Sequence, residues 1–226
     1  MVKYQFKRCI AMGIEAVIFD LDGVIFDSEI LHKIAWEKVF ATHGIFVDQQ
    51  DYAKGIGISD RDFLKDLAEQ KRVPEDIDNL ISEKKRFLLE ISDQAKPIDG
   101  IGSFIKELHR NFKLAVASNT DRDFVLKLIE NAQMKSFFSV IMGCQDISKS
   151  KPDPEIYLKC ALVLGIAPIQ CAVIEDSPAG IKAAKSAGMK CIALATNLEK
   201  SKLREADLIM EKPDAVAVKK FLGFFK

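Results

Sequence analysis

The chain has 226 residues, 48% of them hydrophobic and 29% charged, enough for an ordinary core in one large domain or in a domain carrying an inserted module. Lysine plus arginine and aspartate plus glutamate both number 33. A formal charge of zero argues against a polyanion-binding surface and so against a nucleic-acid partner, because such modules carry a basic excess. The five cysteines, Cys9, Cys144, Cys160, Cys171 and Cys191, are scattered without a CxxC pair, which fits a reducing compartment better than a disulfide framework.

Residues 1–13 read as a short extension before the fold. Their basic start invites a signal-peptide reading, but Glu15 and Asp20 interrupt the apolar run and no small-residue cleavage pattern follows. No segment approaches the roughly 18 uninterrupted apolar residues of a membrane helix, so the expectation is a cytoplasmic protein without a membrane partner. Ala16 to Phe19 reads as a buried strand running straight into Asp20, Asp22 and Gly23. Ser28 to His43 has helical spacing and stops at Gly44. A loop with Lys54, Gly55 and Gly57 follows. Ser59 then caps a helix through Phe63, Leu64 and Leu67, and Pro74 starts another that runs to about Ile91. Its charge run, Glu83-Lys84-Lys85-Arg86, reads as a solvated helix face.

The rhythm changes at Pro97. Helices are expected from Gly100 to Arg110, Asp121 to Ala132, Pro154 to Leu164 and Pro178 to Gly188, the last capped by Ser177. Strands are expected at Lys113–Ala117, Phe137–Met142, Cys171–Ile174 and Lys190–Leu194. The terminal Phe221, Phe224 and Phe225 pack a last helix against the sheet. This alternation implies an α/β fold, a doubly wound parallel sheet with an inserted all-helical cap. The sheet domain is discontinuous, 1–29 and 97–226, and the cap is 30–96.

Polar residues end three of these strands: Asp20 and Asp22, Ser118 and Asn119, Glu175 and Asp176. In a parallel sheet they meet at one edge if the strands are neighbours. Lys151 precedes a helix and supplies an ammonium. Each residue alone also reads as an ordinary turn, cap or loop residue. Together they supply acids for a cation, a hydroxyl and an amide for phosphate oxygens, and a fixed positive charge. Phosphoryl transfer needs that kit, being mostly positioning and electrostatic stabilisation.

These residues resemble the motifs of the haloacid dehalogenase superfamily, in its phosphatase and β-phosphoglucomutase-like branch with a Rossmann-like core. Asp20-Leu21-Asp22-Gly23-Val24 is similar to the first motif, Ser118-Asn119 to the second, Lys151 to the third, and Glu175-Asp176-Ser177 to the fourth. The resemblance implies that Asp20 is the nucleophile and forms an aspartyl-phosphate. Asp22 protonates the leaving oxygen and then activates water. Mg²⁺ is held by Asp20, the main-chain carbonyl of Asp22 and Asp176, with Glu175 close by, while Ser118, Asn119 and Lys151 hold the phosphoryl group. Ser28, His32 and Trp36 resemble positions in a helix beyond the first motif, and Lys54-Gly55 resembles the start of a cap loop. Arg61 falls two residues later than the arginine of the mutases, which favours a phosphatase. The expected function is Mg²⁺-dependent hydrolysis of a small phosphate ester, such as a sugar phosphate. A hexose-phosphate mutase is the alternative within enzymes. A phospho-accepting signalling domain is the alternative outside them, disfavoured by the length, the helical insert and the acid at Asp22.

Overall fold

A computed structural model of the chain describes residues 13–55, 58–70, 73 and 76–225, with the side chains of all of these except 53, 54, 69 and 70. Cys9, Pro74 and the extension up to residue 12 lie outside the described residues. In chain order the strands are β1 (Ala16–Phe19), β2 (Phe26–Asp27), β3 (Lys96–Pro97), β4 (Lys113–Ala117), β5 (Val140–Met142), β6 (Cys171–Glu175), β7 (Lys190–Leu194) and β8 (Leu208–Met210). The α-helices are α1 (Glu29–Thr42), α2 (Gln49–Gly55), α3 (Asp60–Gln70), α4 (Ile77–Glu90), α5 (Ile101–His109), α6 (Arg122–Asn131), α7 (Glu155–Leu164), α8 (Pro178–Ser186) and α9 (Ala215–Phe224).

Six strands form a parallel sheet in the order β5-β4-β1-β6-β7-β8. β1 is central, and its run of four buried residues follows from having helices on both faces. Alternation along it splits the core in two. Val17 and Phe19 join Phe104, Ile105, Phe124 and Phe221 under α5, α6 and α9. Ala16 and Ile18 join Ile156, Tyr157, Ile181 and Ala184 under α7 and α8. Each fully buried Val, Leu, Ile or Phe here contributes about 1.5–3 kcal/mol. Phe221 and Phe225 are buried in the first layer, as their spacing predicts, and Phe224 is half-buried.

From β1 the chain winds outward through β4 and β5, then returns across to β6. The winding direction reverses at β1, and in such sheets the crevice lies beyond the carboxyl ends at that point. Helices α1–α4 build a third apolar cluster from Trp36, Val39, Phe40, Phe63, Leu64, Leu67 and Leu80. A two-residue antiparallel ribbon, β2 with β3, joins the place where the chain leaves for these helices to the place where it returns.

Several boundaries differ from the sequence expectation. The expected loop before Gly57 contains α2, whose start is capped by Asp48 Oδ1 accepting the N–H groups of Gln50 and Asp51. β5 begins at Val140 because Lys135–Phe137 forms a 3₁₀ turn. In the described part of α4 the cap is Asp76, which accepts from the Asn79 N–H. β8 and the ribbon were not expected, because two or three residues carry no readable period. Ser59 and Ser177 do cap α3 and α8, Ser59 Oγ accepting from Asp62 N and Ser177 Oγ from Gly180 N. Among the described residues no helix is long and apolar enough to cross a membrane.

Candidate active site

The register aligns the three motif strands. Phe19 lies opposite Val116 on one side and Ile174 on the other. The next residues, Asp20, Ala117 and Glu175, therefore stand at one level, with Ser118 and Asp176 just beyond. The Asp20 N–H donates to Ile174 O at 2.9 Å, and Ser118 N–H to Met142 O at 3.1 Å. A turn then brings back the second acid. Gly23 has φ +76°, and a Cβ there would lie 1.9 Å from Asp176 Oδ2, so both backbone shape and space demand glycine. Thr196 Oγ1 donates to Gly23 O at 2.6 Å and pins this turn to the loop after β7.

Lys151 comes to this edge from the loop before α7, with its backbone N–H held by Asn119 Oδ1 at 3.1 Å. Its buried ammonium donates to Asp20 Oδ1 at 2.5 Å, Glu175 Oε1 at 2.7 Å and Ala117 O at 3.0 Å, which uses all three protons. Glu175 accepts a second bond on Oε1 from the Tyr157 O–H at 2.6 Å. Its Oε2 accepts from Asp176 N, Ser177 N and Ser177 Oγ at 3.0–3.1 Å. A Cβ on Gly180 would sit 1.8 Å from Oε1, so α8 approaches the carboxylate through a glycine.

These contacts set the charges. Burial pushes the Asp20 carboxyl well above 3.8; Lys151 opposes that rise, and the Glu175 and Asp22 charges add to it. Burial likewise raises Asp176 well above its ordinary value, with help from Glu175 and Asp20. Glu175 resists its own burial and stays below the usual carboxylate range through Lys151 and the donors around it. Burial alone would discharge Lys151, but Asp20 and Glu175 keep it firmly charged. One oxygen from each of Asp20, Glu175 and Asp176 lies within 4.8 Å of the others. Three buried acids facing one ammonium leave negative charge uncompensated. An all-oxygen donor set suits a hard divalent cation.

Asp22 faces the other way. Its Oδ1 accepts from Ser28 Oγ at 2.5 Å and meets His32 Nε2 at 3.1 Å. Its Oδ2 accepts from Thr120 Oγ1 at 2.8 Å and Ser118 Oγ at 3.2 Å. Burial would raise Asp22, but the adjacent imidazole and the two hydroxyls of Ser28 and Thr120 outweigh it and hold the carboxyl below its ordinary 3.8. Behind His32 stands Lys84, whose ammonium donates to His32 Nδ1 at 2.8 Å and to both Asp60 oxygens at 2.7 and 2.8 Å. An ammonium can only donate, so Nδ1 is the acceptor and Nε2 carries the hydrogen given to Asp22. Lys84 is 2% exposed. The solvated-face reading of its run is therefore wrong at this position: the helical period turns Lys84 inward over Trp36 while its neighbours stay near the surface.

A cavity of about 410 Å³ is lined by both groups. Asp20, Asp22, Lys151 and Asp176 form its floor, and Trp36, Tyr52 and Asp60 face them from the helices. Ser28 and His32 join the site through Asp22, and Trp36, stacked on Phe40, is part of the cavity wall. Arg61 does not join it: the side chain is exposed and paired with Asp78. Lys54 lies in α2, its side chain outside the described set. Sequence reasoning missed Thr120, Lys84, Asp60 and Tyr157. Only Thr120, third in the Ser118-Asn119-Thr120 strand end, carried a local signal.

Comparisons with known proteins point to one family. The model of the family described as haloacid dehalogenase-like hydrolase matches residues 17–194. The phosphorylated carbohydrates phosphatase of Thermotoga maritima is 30% identical over 209 residues, covering 89% of this chain and 96% of that protein. The chloroplastic protein SUPPRESSOR OF QUENCHING 1 of Arabidopsis thaliana is 34% identical over 208 residues; 89% of this chain matches, but it spans only 20% of that longer protein. The crystal structure of β-phosphoglucomutase from Clostridium difficile superposes with a TM-score of 0.84 at 27% identity, covering 94% of this chain and 97% of that one. With motif, topology and edge geometry in agreement, the chain belongs to the haloacid dehalogenase-like hydrolase family.

Proposed function

We propose that the chain is a Mg²⁺-dependent phosphatase that hydrolyses small phosphorylated metabolites, sugar phosphates among them, through an aspartyl-phosphate at Asp20. The observation that carries this reading is the division between the two acids. Asp20 sits against the Lys151 ammonium on the floor of the cavity, and Asp22, two residues on, is held by hydroxyls and an imidazole beside it. A carboxylate Oδ of Asp20 attacks phosphorus, and the ester oxygen leaves with a proton from Asp22. Asp22 then takes a proton from water, which attacks the same phosphorus, releases inorganic phosphate and restores Asp20.

Asp22 must gain a proton before the first step, and the resting contacts favour its ionised form. Substrate changes this balance. The phosphoryl oxygens compete for the Ser118 and Thr120 hydroxyls now on Asp22 Oδ2, and their charge raises the affinity of Asp22 for a proton. Asp20, Asp176, the main-chain carbonyl of Asp22 and, beside them, Glu175 would hold Mg²⁺. The ion would supply charge neutralisation for the entering dianion. Helices α1–α4 act as the cap of residues 30–96, closing the cavity from above and excluding bulk water.

The likeness to β-phosphoglucomutase keeps a mutase as the second reading. Against it, Arg61 is engaged with Asp78 away from the cavity. A panel of phosphate esters that includes β-glucose 1-phosphate, assayed with Mg²⁺ for free phosphate and isomer together, separates the two. Phosphate released in step with substrate loss supports the phosphatase. An isomer formed without phosphate overturns it in favour of the mutase.

A further inference from the structure

Tyr157 is a large, fully buried polar side chain at the site that the proposed reaction does not use. It lies in the first turn of α7, six residues after Lys151, among the apolar side chains beneath that helix. A buried tyrosine needs a partner for its hydroxyl, and any backbone carbonyl would serve. This one instead donates to Glu175 Oε1 at 2.6 Å, the oxygen that Lys151 Nζ reaches at 2.7 Å. Its ring also faces the same ammonium, 4.9 Å from the ring centroid. Two separate parts of one side chain thus meet both members of the Lys151–Glu175 pair.

We propose that Tyr157 is a positioning residue that aims the Lys151 ammonium at Asp20 and the bound phosphoryl group. The physical basis is competition for one proton donor. Glu175 Oε1 has two donors, Lys151 and Tyr157, while Asp20 Oδ1 draws on the same ammonium. With the phenol present, Glu175 is partly satisfied and Lys151 is shared with Asp20. Without it, Oε1 has Lys151 alone and pulls it toward β6, away from the nucleophile. The ring adds a cation–π contact to the same ammonium, 4.9 Å from the centroid. Neighbouring donors keep the rest of the carboxylate fixed, because Oε2 is bound by the Asp176 and Ser177 N–H groups and the Ser177 hydroxyl.

The inference rests on the phosphatase reading, and its test uses the full chain and inorganic phosphate as probe. Calorimetry in saturating Mg²⁺ gives the phosphate dissociation constant for wild type, Y157F and Y157L, alongside each thermal midpoint. Y157F keeps the ring and loses only the hydroxyl. The expected result is a phosphate dissociation constant raised about tenfold, the scale of a lost hydrogen bond to a charged group. Y157L, lacking the ring as well, is expected to bind phosphate more weakly still; if it does not fold, Y157F decides alone. A merely structural tyrosine would lower the midpoint of Y157F and leave phosphate affinity unchanged, and that result overturns the proposal. If the wild-type chain itself binds no phosphate, it is the phosphatase reading that fails. The crystal structure of Y157F then decides for Tyr157: Lys151 Nζ displaced from Asp20 supports the positioning role, and an unmoved ammonium contradicts it.

Discussion

Two carboxylates two residues apart, Asp20 and Asp22, live in opposite electrostatic worlds. Asp20 belongs to the sheet edge, where buried acids crowd around one ammonium and its carboxyl is driven upward. Asp22 meets the start of α1, where Ser28 and His32, with Thr120 from beyond β4, hold it down. The difference is one of partners: Asp20 meets the Lys151 ammonium, and Asp22 meets Ser28, His32, Ser118 and Thr120. One short motif thereby offers a group crowded by other buried acids, suited to bind a cation and attack, beside a group supplied with donors, suited to exchange a proton.

Breaking the sheet-edge half should have the largest effects. D20N is expected to lower the rate of phosphate release by at least about 10³-fold, because it removes the attacking group. Phosphate release near the wild-type rate would contradict the assignment. K151M removes the ammonium shared by Asp20 and Glu175, leaving two buried acids without their cation. Chemical denaturation of the metal-free protein should show a loss of about 3 kcal/mol, and a change under 1 kcal/mol would show that the acids had discharged instead.

Changes on the helix side should be smaller and visible in pH dependence. Asp22 is held below 3.8, so the bonds it accepts stabilise the fold above that pH. That contribution is lost as pH falls through the lowered value. H32A removes the leading opponent of burial, so the Asp22 carboxyl should rise. Because Asp22 must be protonated for the first step, rate measurements across pH should show the alkaline limb of kcat/KM moved to higher pH; an unmoved limb would separate His32 from Asp22. K84M should give a similar but smaller shift, since it frees His32 Nδ1 without touching Asp22. Smallest of all, R61A should change KM less than about twofold, because its partner is Asp78 at the surface. A large rise in KM would return Arg61 to the substrate and revive the mutase reading.

The same two halves differ in how far they could be read from the sequence. The sheet edge was legible because strand propensity, an abrupt strand end and polar residues all lie within a few consecutive positions, as at Val17 to Gly23 and Cys171 to Ser177. Parallel register then does the assembling. The helix side was mostly hidden. Lys84 reaches His32 across 52 positions and Asp60 across 24, and only the packing of α4 on α1 shows which lysine of a charged run turns inward. Tyr157 reads locally as an apolar helix position, and its partner Glu175 lies 18 residues away. Arg61 differs in the opposite sense: with Lys54 it was a candidate for a distal phosphate only through its likeness to an arginine of the mutases, and in the structure it pairs with Asp78.

The division of labour between Asp20 and Asp22 is tested most directly by locating the phosphorylated residue. Enzyme turning over a good phosphate ester with Mg²⁺ is acid-quenched and reduced with borohydride, which converts an aspartyl-phosphate to homoserine, and the peptide spanning residues 16–25 is sequenced by mass spectrometry. Homoserine at position 20, absent without substrate, is the expected result. Homoserine at position 22, or rapid phosphate release with neither residue labelled, would contradict the assignment of Asp20 as the attacking group.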